Sequence, residues 1–230
     1  MKRYIALWFF ALTWPGLSAA AAVPDVDAVL SYQSHAVSRN GITKESRFQE
    51  RLIRREGYIW TERVLPQSVY KEHDLETPTE HAAHEHFDFD SAARLLTRDS
   101  SNKLQLDYVD AARATVVRVP ASEYEATGFG STWTSAASLV EPRAIANMKK
   151  LDKASSVAGA SWYEESKGQH YNRVLWSERL QLALQIESGT RDGAVLRRTT
   201  VKLLPLTANA RLPWMGLSKL QQKEYDDFMD

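Results

Sequence analysis

The chain has 230 residues, 25% of them charged, with 29 basic side chains against 29 acidic ones and no cysteine. This balance argues against a nucleic-acid partner, which calls for a basic excess. The missing thiols exclude a disulfide framework, thiolate zinc sites, iron–sulfur clusters and covalently attached c-type haem.

The first 22 residues read as a secretory signal. Lys2 and Arg3 form a positive start, and Tyr4 to Trp14 is an apolar run of eleven residues. Pro15 and Gly16 end it, and Leu17 to Ala22 supplies the small residues that signal peptidase needs, so cleavage after Ala20 or Ala22 fits. A lipid-anchored lipoprotein would need a cysteine at that site, and there is none. No later segment approaches the roughly 18–20 apolar residues of a transmembrane helix. The expected product is a periplasmic or otherwise secreted single domain, 23–230. It has 230 − 22 = 208 residues, and losing Lys2 and Arg3 leaves 27 basic against 29 acidic groups, a net of −2.

After the signal the chain reads mainly as strands. Leu30 to Ser38 is the first. Arg39-Asn40-Gly41 is a hairpin signal, because Asn-Gly supplies the positive φ angles of a tight turn. Ile42 to Arg54 alternates with period two, Arg55-Glu56-Gly57 turns, and Tyr58 to Leu65 is rich in strand formers until Pro66. These three segments form an antiparallel meander. A polar insertion over about 67–90 breaks the rhythm, with a short helix from about Glu80. Strands resume at Ala92 to Thr97, Leu104 to Val109 and Ala114 to Val119. Pro120 to Gly130 reads as a turn or short helix. Glu141-Pro142 opens a helix to about Lys150, with proline at its first turn and Lys149 and Lys150 at its negative end. The 154–160 stretch is a small-residue linker. Four more strands follow at Ser161 to Glu165, His170 to Trp176, Leu180 to Glu187 and Ala194 to Leu204. In the third, Leu180, Leu182, Leu184 and Ile186 share one expected face. Ser218 caps an expected final helix carrying Leu220, Tyr225 and Phe228.

About ten strands with two or three short helices, and no long helices alternating with the strands, exclude a parallel α/β sheet. The fold class is mainly β (α+β): a large curved antiparallel sheet or half-barrel, with a short helix filling its concave side.

The pattern of signal peptide, early meander (ITKESRFQERLIRREGYIWTERVLP), helical insertion and further hairpins resembles the lipoprotein-carrier (LolA/LolB-like) fold family. The resemblance covers most of the mature chain and contains no diagnostic motif. It implies a curved half-barrel with an apolar cavity that carries lipid-modified proteins or other hydrophobic ligands.

The densest cluster of candidate ligands lies in the insertion. Four of six histidines fall between His73 and His86, and Glu72 to Asp90 holds seven carboxylates and no lysine or arginine. Imidazole and carboxylate bind borderline divalent metals. In an extended chain His84 and His86 point the same way, about 6.5–7 Å apart. His81 and His84 share a face if the segment is helical. With His73, Glu80 or Glu85 they could complete a site for zinc, copper(II) or nickel. The plain alternative is a solvated acidic loop. His35 and His170 read as hydrogen-bonded sheet residues.

Catalytic patterns are missing: there is no His-Glu-x-x-His, no Gly-x-Ser-x-Gly and no phosphate-loop lysine near Gly128-Phe129-Gly130. Trp60, Trp162 and Trp176 fall in strands, either as core packing or as the lining of an apolar ligand cavity. Arg51, Arg54 and Arg55, with Arg197 and Arg198, are expected on the outer, solvated face, with Arg63 opposite Glu50 or Glu62. The functional expectation is a non-enzymatic exported binding or accessory protein holding a transition metal in its histidine loop. The alternative is a carrier of lipid, lipoprotein or another hydrophobic ligand, and a metal-dependent hydrolase is the third reading. Partners are a hydrophobic ligand or a protein.

Overall fold

The computed structural model describes residues 23–65, 87–111 and 113–228. The signal segment and the 66–86 portion of the insertion lie outside the described residues. Twelve strands form one open sheet: β1 Val26–Val37, β2 Thr43–Arg55, β3 Tyr58–Arg63, β4 Ala93–Arg98, β5 Leu104–Asp110, β6 Thr115–Val119, β7 Lys149–Lys150, β8 Ala160–Lys167, β9 His170–Ser177, β10 Leu182–Thr190, β11 Val195–Leu204 and β12 Gln221–Glu224. Their order across the sheet is β12-β6-β5-β4-β3-β2-β1-β11-β10-β9-β8-β7. One meander runs outward from β1 to β6. A second runs inward from β7 to β11 and closes on β1, in register from Asp27 opposite Leu204 to Ala36 opposite Val195. Every neighbouring pair is antiparallel except β12 on β6.

Alternation along the strands separates two faces. On the core face Val26, Ala28 and Leu30 of β1 meet Leu52 of β2, Ile59 of β3, Leu96 of β4, Leu106 and Tyr108 of β5, and Val117 and Val119 of β6. Phe87, Phe129, Trp133, Ala137 and Tyr225 cover them, and Trp162, Leu175, Leu182 and Leu184 join from the second meander. On the back face Ile53, Trp60, Leu95, Val109 and Val116 are covered by Leu212, with Trp214, Leu217 and Leu220 beside it. A third cluster packs Val174, Trp176 and Ala183 against Ile145.

Two short helices serve these clusters. α1, Trp133–Ser138, starts at a capping box in which the Thr132 side chain accepts from Ser135 N–H and Ser135 returns a bond to the Thr132 backbone. It ends at Leu139 with φ 65°, a left-handed conformation that glycine usually supplies. Leu139 is held there by packing against two of the apolar clusters. α2, Pro142–Ala146, places Ile145 on the third cluster.

Three expectations are corrected. The helix opening at Pro142 stops at Ala146, and Lys149–Lys150 pairs instead with Glu164 and Tyr163 of β8. The expected C-terminal helix is instead a 3-10 segment at Pro213–Lys219, then the parallel strand β12, then a 3-10 turn at Tyr225–Phe228. Leu180 through Ile186 do not share one face. A bulge between Ala183 and Gln185 shifts the register, so Leu182 and Leu184 enter the main core while Ile186 packs with the third cluster.

Candidate functional site

The metal-ligand candidates His73, Glu80, His81, His84, Glu85 and His86 all lie outside the described residues. Among the described residues no group of three His, Asp or Glu side chains could hold a metal ion. His35 behaves as expected of a sheet residue, its Nδ1 3.3 Å from Glu45 on the neighbouring strand. Trp60, Trp162 and Trp176 are each buried, but in three different clusters, so they do not line one cavity. The buried Trp60 Nε1 has no hydrogen-bond partner among the described residues. Tyr58 stacks on Trp214, their rings 5.3 Å apart, on the same face of β3 as Trp60.

The arginines overturn the expected solvated face. Arg54 is 1% exposed and Arg55 is 8% exposed. As neighbours on one strand they point to opposite faces. Arg55 serves the back face, where it donates to Asp27 at 2.6 Å. Asp27 in turn accepts from the Thr207 backbone N–H at 2.7 Å and from its hydroxyl. Burial would raise the Asp27 carboxyl, but the bonds from Arg55 and Thr207 outweigh it and hold it below the ordinary range. Arg51 pairs with Glu62 at 3.1 Å and also reaches Thr207. This network fastens the chain leaving β11, which then crosses the back face to Leu212 and Trp214. The strap finishes as β12 along the β6 edge, where it pairs backbone groups that an edge would otherwise leave open. Arg63 lies opposite Glu50 as expected from sequence, but its guanidinium sits 3.7 Å over the Phe48 ring.

Arg54 serves the core face, and it has no carboxylate within hydrogen-bond reach among the described residues. Its guanidinium donates to four main-chain carbonyls: Pro24 at 3.0 Å, Leu180 at 2.6 Å, Gln181 at 3.2 Å, and Ala137. These belong to three separate segments: the lead into β1, the C-terminal end of α1, and the turn before β10. The Ala137 carbonyl is one of those a helix end leaves without an internal partner. Burial pushes the guanidinium down to about 10, against the opposing pull of the Asp25 carboxylate.

What Arg54 holds in place is the cover of the core face. Trp133, Ala137 and Leu139 of the α1 segment, with Phe129 before it, rest on the sheet's apolar side chains. At the rim Arg98 lies 4.5 Å over the Trp133 ring and Arg94 5.6 Å over Phe129. A helix of six residues has almost no stability of its own in water. Its position depends on this packing and on the Arg54 contact. Two signals in the sequence could have exposed the arrangement: the Thr132-x-x-Ser135 cap, and an arginine at a position whose alternation with Leu52 demands the core side.

An open groove of about 220 Å³ lies at the far end of β1, β2 and β11. Among the described residues no helix is long and apolar enough to cross a membrane.

No family model matches this chain, and no curated protein matches it by sequence. Solved structures do. A LolA superfamily protein from Nitrosomonas europaea is 9% identical with a TM-score of 0.34, over 82% of this chain and 89% of its own. An outer membrane lipoprotein-sorting domain from Vibrio parahaemolyticus is 11% identical with a TM-score of 0.31, over 84% of this chain and 90% of its own. PNGF-II is 11% identical with a TM-score of 0.36; the match covers 89% of this chain, which spans about a third (32%) of the PNGF-II chain. All three TM-scores lie below 0.5, so these likenesses carry no further argument about this chain.

Proposed function

We propose that this chain is an exported binding protein of the carrier type, and that its hydrophobic ligand takes the place of the α1 segment on the core face of the sheet. The observation that carries this reading is the Arg54 contact. A small-domain core is usually sealed by apolar packing alone. Here part of the cover is a short helix whose end is fastened to the sheet by a buried cation bonded only to backbone carbonyls. Such bonds can be exchanged for water without leaving an unpaired carboxylate behind. Release of α1 would open the main apolar cluster where Trp133 and Ala137 now pack, which is what a lipid or acyl chain requires.

The test is uptake of a hydrophobic fluorescent dye, together with native mass spectrometry of the purified mature protein. Arg54→Met should bind more dye than the parent at a temperature where near-ultraviolet circular dichroism shows intact tertiary packing, and should retain co-purified lipid. Failure of both proteins to bind dye or lipid while folded would sink the proposal. Dye uptake that appears only with loss of the near-ultraviolet signal would also count against it, since loosely packed states bind such dyes nonspecifically.

A further inference from the structure

We infer that the groove at the open end of β1, β2 and β11 is a separate binding site for a small planar anion, such as an aromatic carboxylate. Two rows of side chains cross these strands on one face. Thr199, Tyr32 and Phe48 are directly opposite one another in the ladders, and so are Arg197, Ser34 and Ser46. Opposed residues of antiparallel strands point the same way, and rows two residues apart are separated by about 7 Å. All six line the groove.

The aromatic row has one free platform. Phe48 is covered on one side by the Arg63 guanidinium, 3.7 Å from its centroid. On the other side it stacks on Tyr32, centroids 4.5 Å apart and planes 20° from parallel. Arg63 is on β3, Phe48 on β2 and Tyr32 on β1, so the remaining face of Tyr32 turns toward β11. A flat ring placed there would extend the stack as a third layer. Burial, and then the nearby Glu50 carboxylate, raise the Tyr32 phenol well above its ordinary range, so the platform stays neutral.

The second row supplies the charge. Arg197 is exposed and has no ion-pair partner among the described residues. Its neighbour Arg198 is different, because Glu187 holds it at 2.9 Å. The hydroxyls of Ser34, Ser46 and Thr199 likewise have no hydrogen-bond partner among the described residues. A free guanidinium and three unused hydroxyls around one neutral aromatic face match a carboxylate attached to a ring. The volume, about 220 Å³, falls below the roughly 300–1,000 Å³ of drug-sized pockets, so the ligand has one or two rings and not an acyl chain.

Calorimetric titration of the full mature protein with 1-naphthoate tests this, with 1-naphthalenemethanol as the uncharged control. Saturable binding is expected, weaker by roughly tenfold or more for the alcohol and for Arg197→Gln, and weakened by added salt. Tyr32→Ala should lose binding while Tyr32→Phe keeps it, because the ring face and not the hydroxyl is used. Arg197 is a surface residue, so its variant reports on the site and not on folding. Arg54→Met should bind naphthoate like the parent, which separates this site from the carrier surface. Absent saturation, equal binding of acid and alcohol, or an Arg197→Gln protein that binds like the parent would each overturn the inference.

Discussion

Replacing Arg54 with methionine removes the hub that joins three segments on the core face. Methionine approximates the stem of arginine, so the apolar volume is largely kept and the loss falls on the polar head. A hydrogen bond from a charged donor contributes about 1.5–3 kcal/mol net. Arg54 makes four, to the carbonyls of Pro24, Ala137, Leu180 and Gln181. Set against their sum is the cost of burying a cation without a carboxylate partner, which the substitution relieves. What remains is the cost of buried carbonyls left without donors, about 1–3 kcal/mol for each that finds no other partner, so the net loss should be about 3–5 kcal/mol. For a domain of this size each kcal/mol is worth roughly 2–4 °C in Tm, so a drop of roughly 6–20 °C is expected. Denaturant unfolding followed by tryptophan fluorescence gives the free energy, and calorimetry gives the Tm. Arg54→Lys should recover only part of the loss, because one ammonium has three donors for the four carbonyls. An Arg54→Met protein within about 1 kcal/mol of the parent would refute the reasoning, since the carbonyls would then be satisfied without the guanidinium.

Two carboxylates predict opposite pH behaviour. Asp27 is held below its ordinary range, so its stabilising contribution is present above about pH 4 and is lost as pH falls through its lower folded value. Asp27→Asn should flatten the acid limb of the stability–pH curve, and Asp27→Ala should cost about 3–5 kcal/mol at pH 7 by removing the buried partner of Arg55 and leaving only Asp25, at 3.6 Å. Asp107 is shifted upward by burial, against the Arg118 guanidinium at 3.4 Å and the Gln105 amide. Its ionised form therefore opposes folding above its folded value, and Asp107→Asn should be neutral or stabilising at pH 7, with any gain gone by about pH 4. A steeper loss of stability in Asp107→Asn at neutral pH would contradict that sign. For the histidine segment, zinc, copper or nickel titrated into the mature protein should bind at micromolar levels or tighter and be lost in a His81/His84/His86→Ala variant; no binding by the parent removes the metal reading.

Strand existence was legible because alternation and turn chemistry act locally. Asn40-Gly41 and Glu56-Gly57 mark the first two hairpins, and the structure turns at both. Long-range effects were not legible. The bulge at Ala183–Gln185 looks like clean alternation in sequence, because Leu182, Leu184 and Ile186 are all apolar whichever face they take. Alternation with Leu52 places Arg54 on the core side, but nothing local reveals the partners that Ala137, Leu180 and Thr207 bring to Arg54 and Arg55 from more than eighty residues away. The final helix failed for a similar reason. Leu220, Tyr225 and Phe228 have helical spacing, but the β6 edge offers Gln221–Glu224 a ladder, which wins over a short helix with few partners. The tryptophans were correctly placed in strands, but the cluster each joins depends on which elements cover its face.

The most direct test of the carrier account is native mass spectrometry of the mature protein and Arg54→Met after exposure to a mixed phospholipid and fatty-acid extract, with both proteins folded. The account predicts a bound acyl-chain species whose occupancy is higher in Arg54→Met. Ligand-free spectra for both proteins would contradict it.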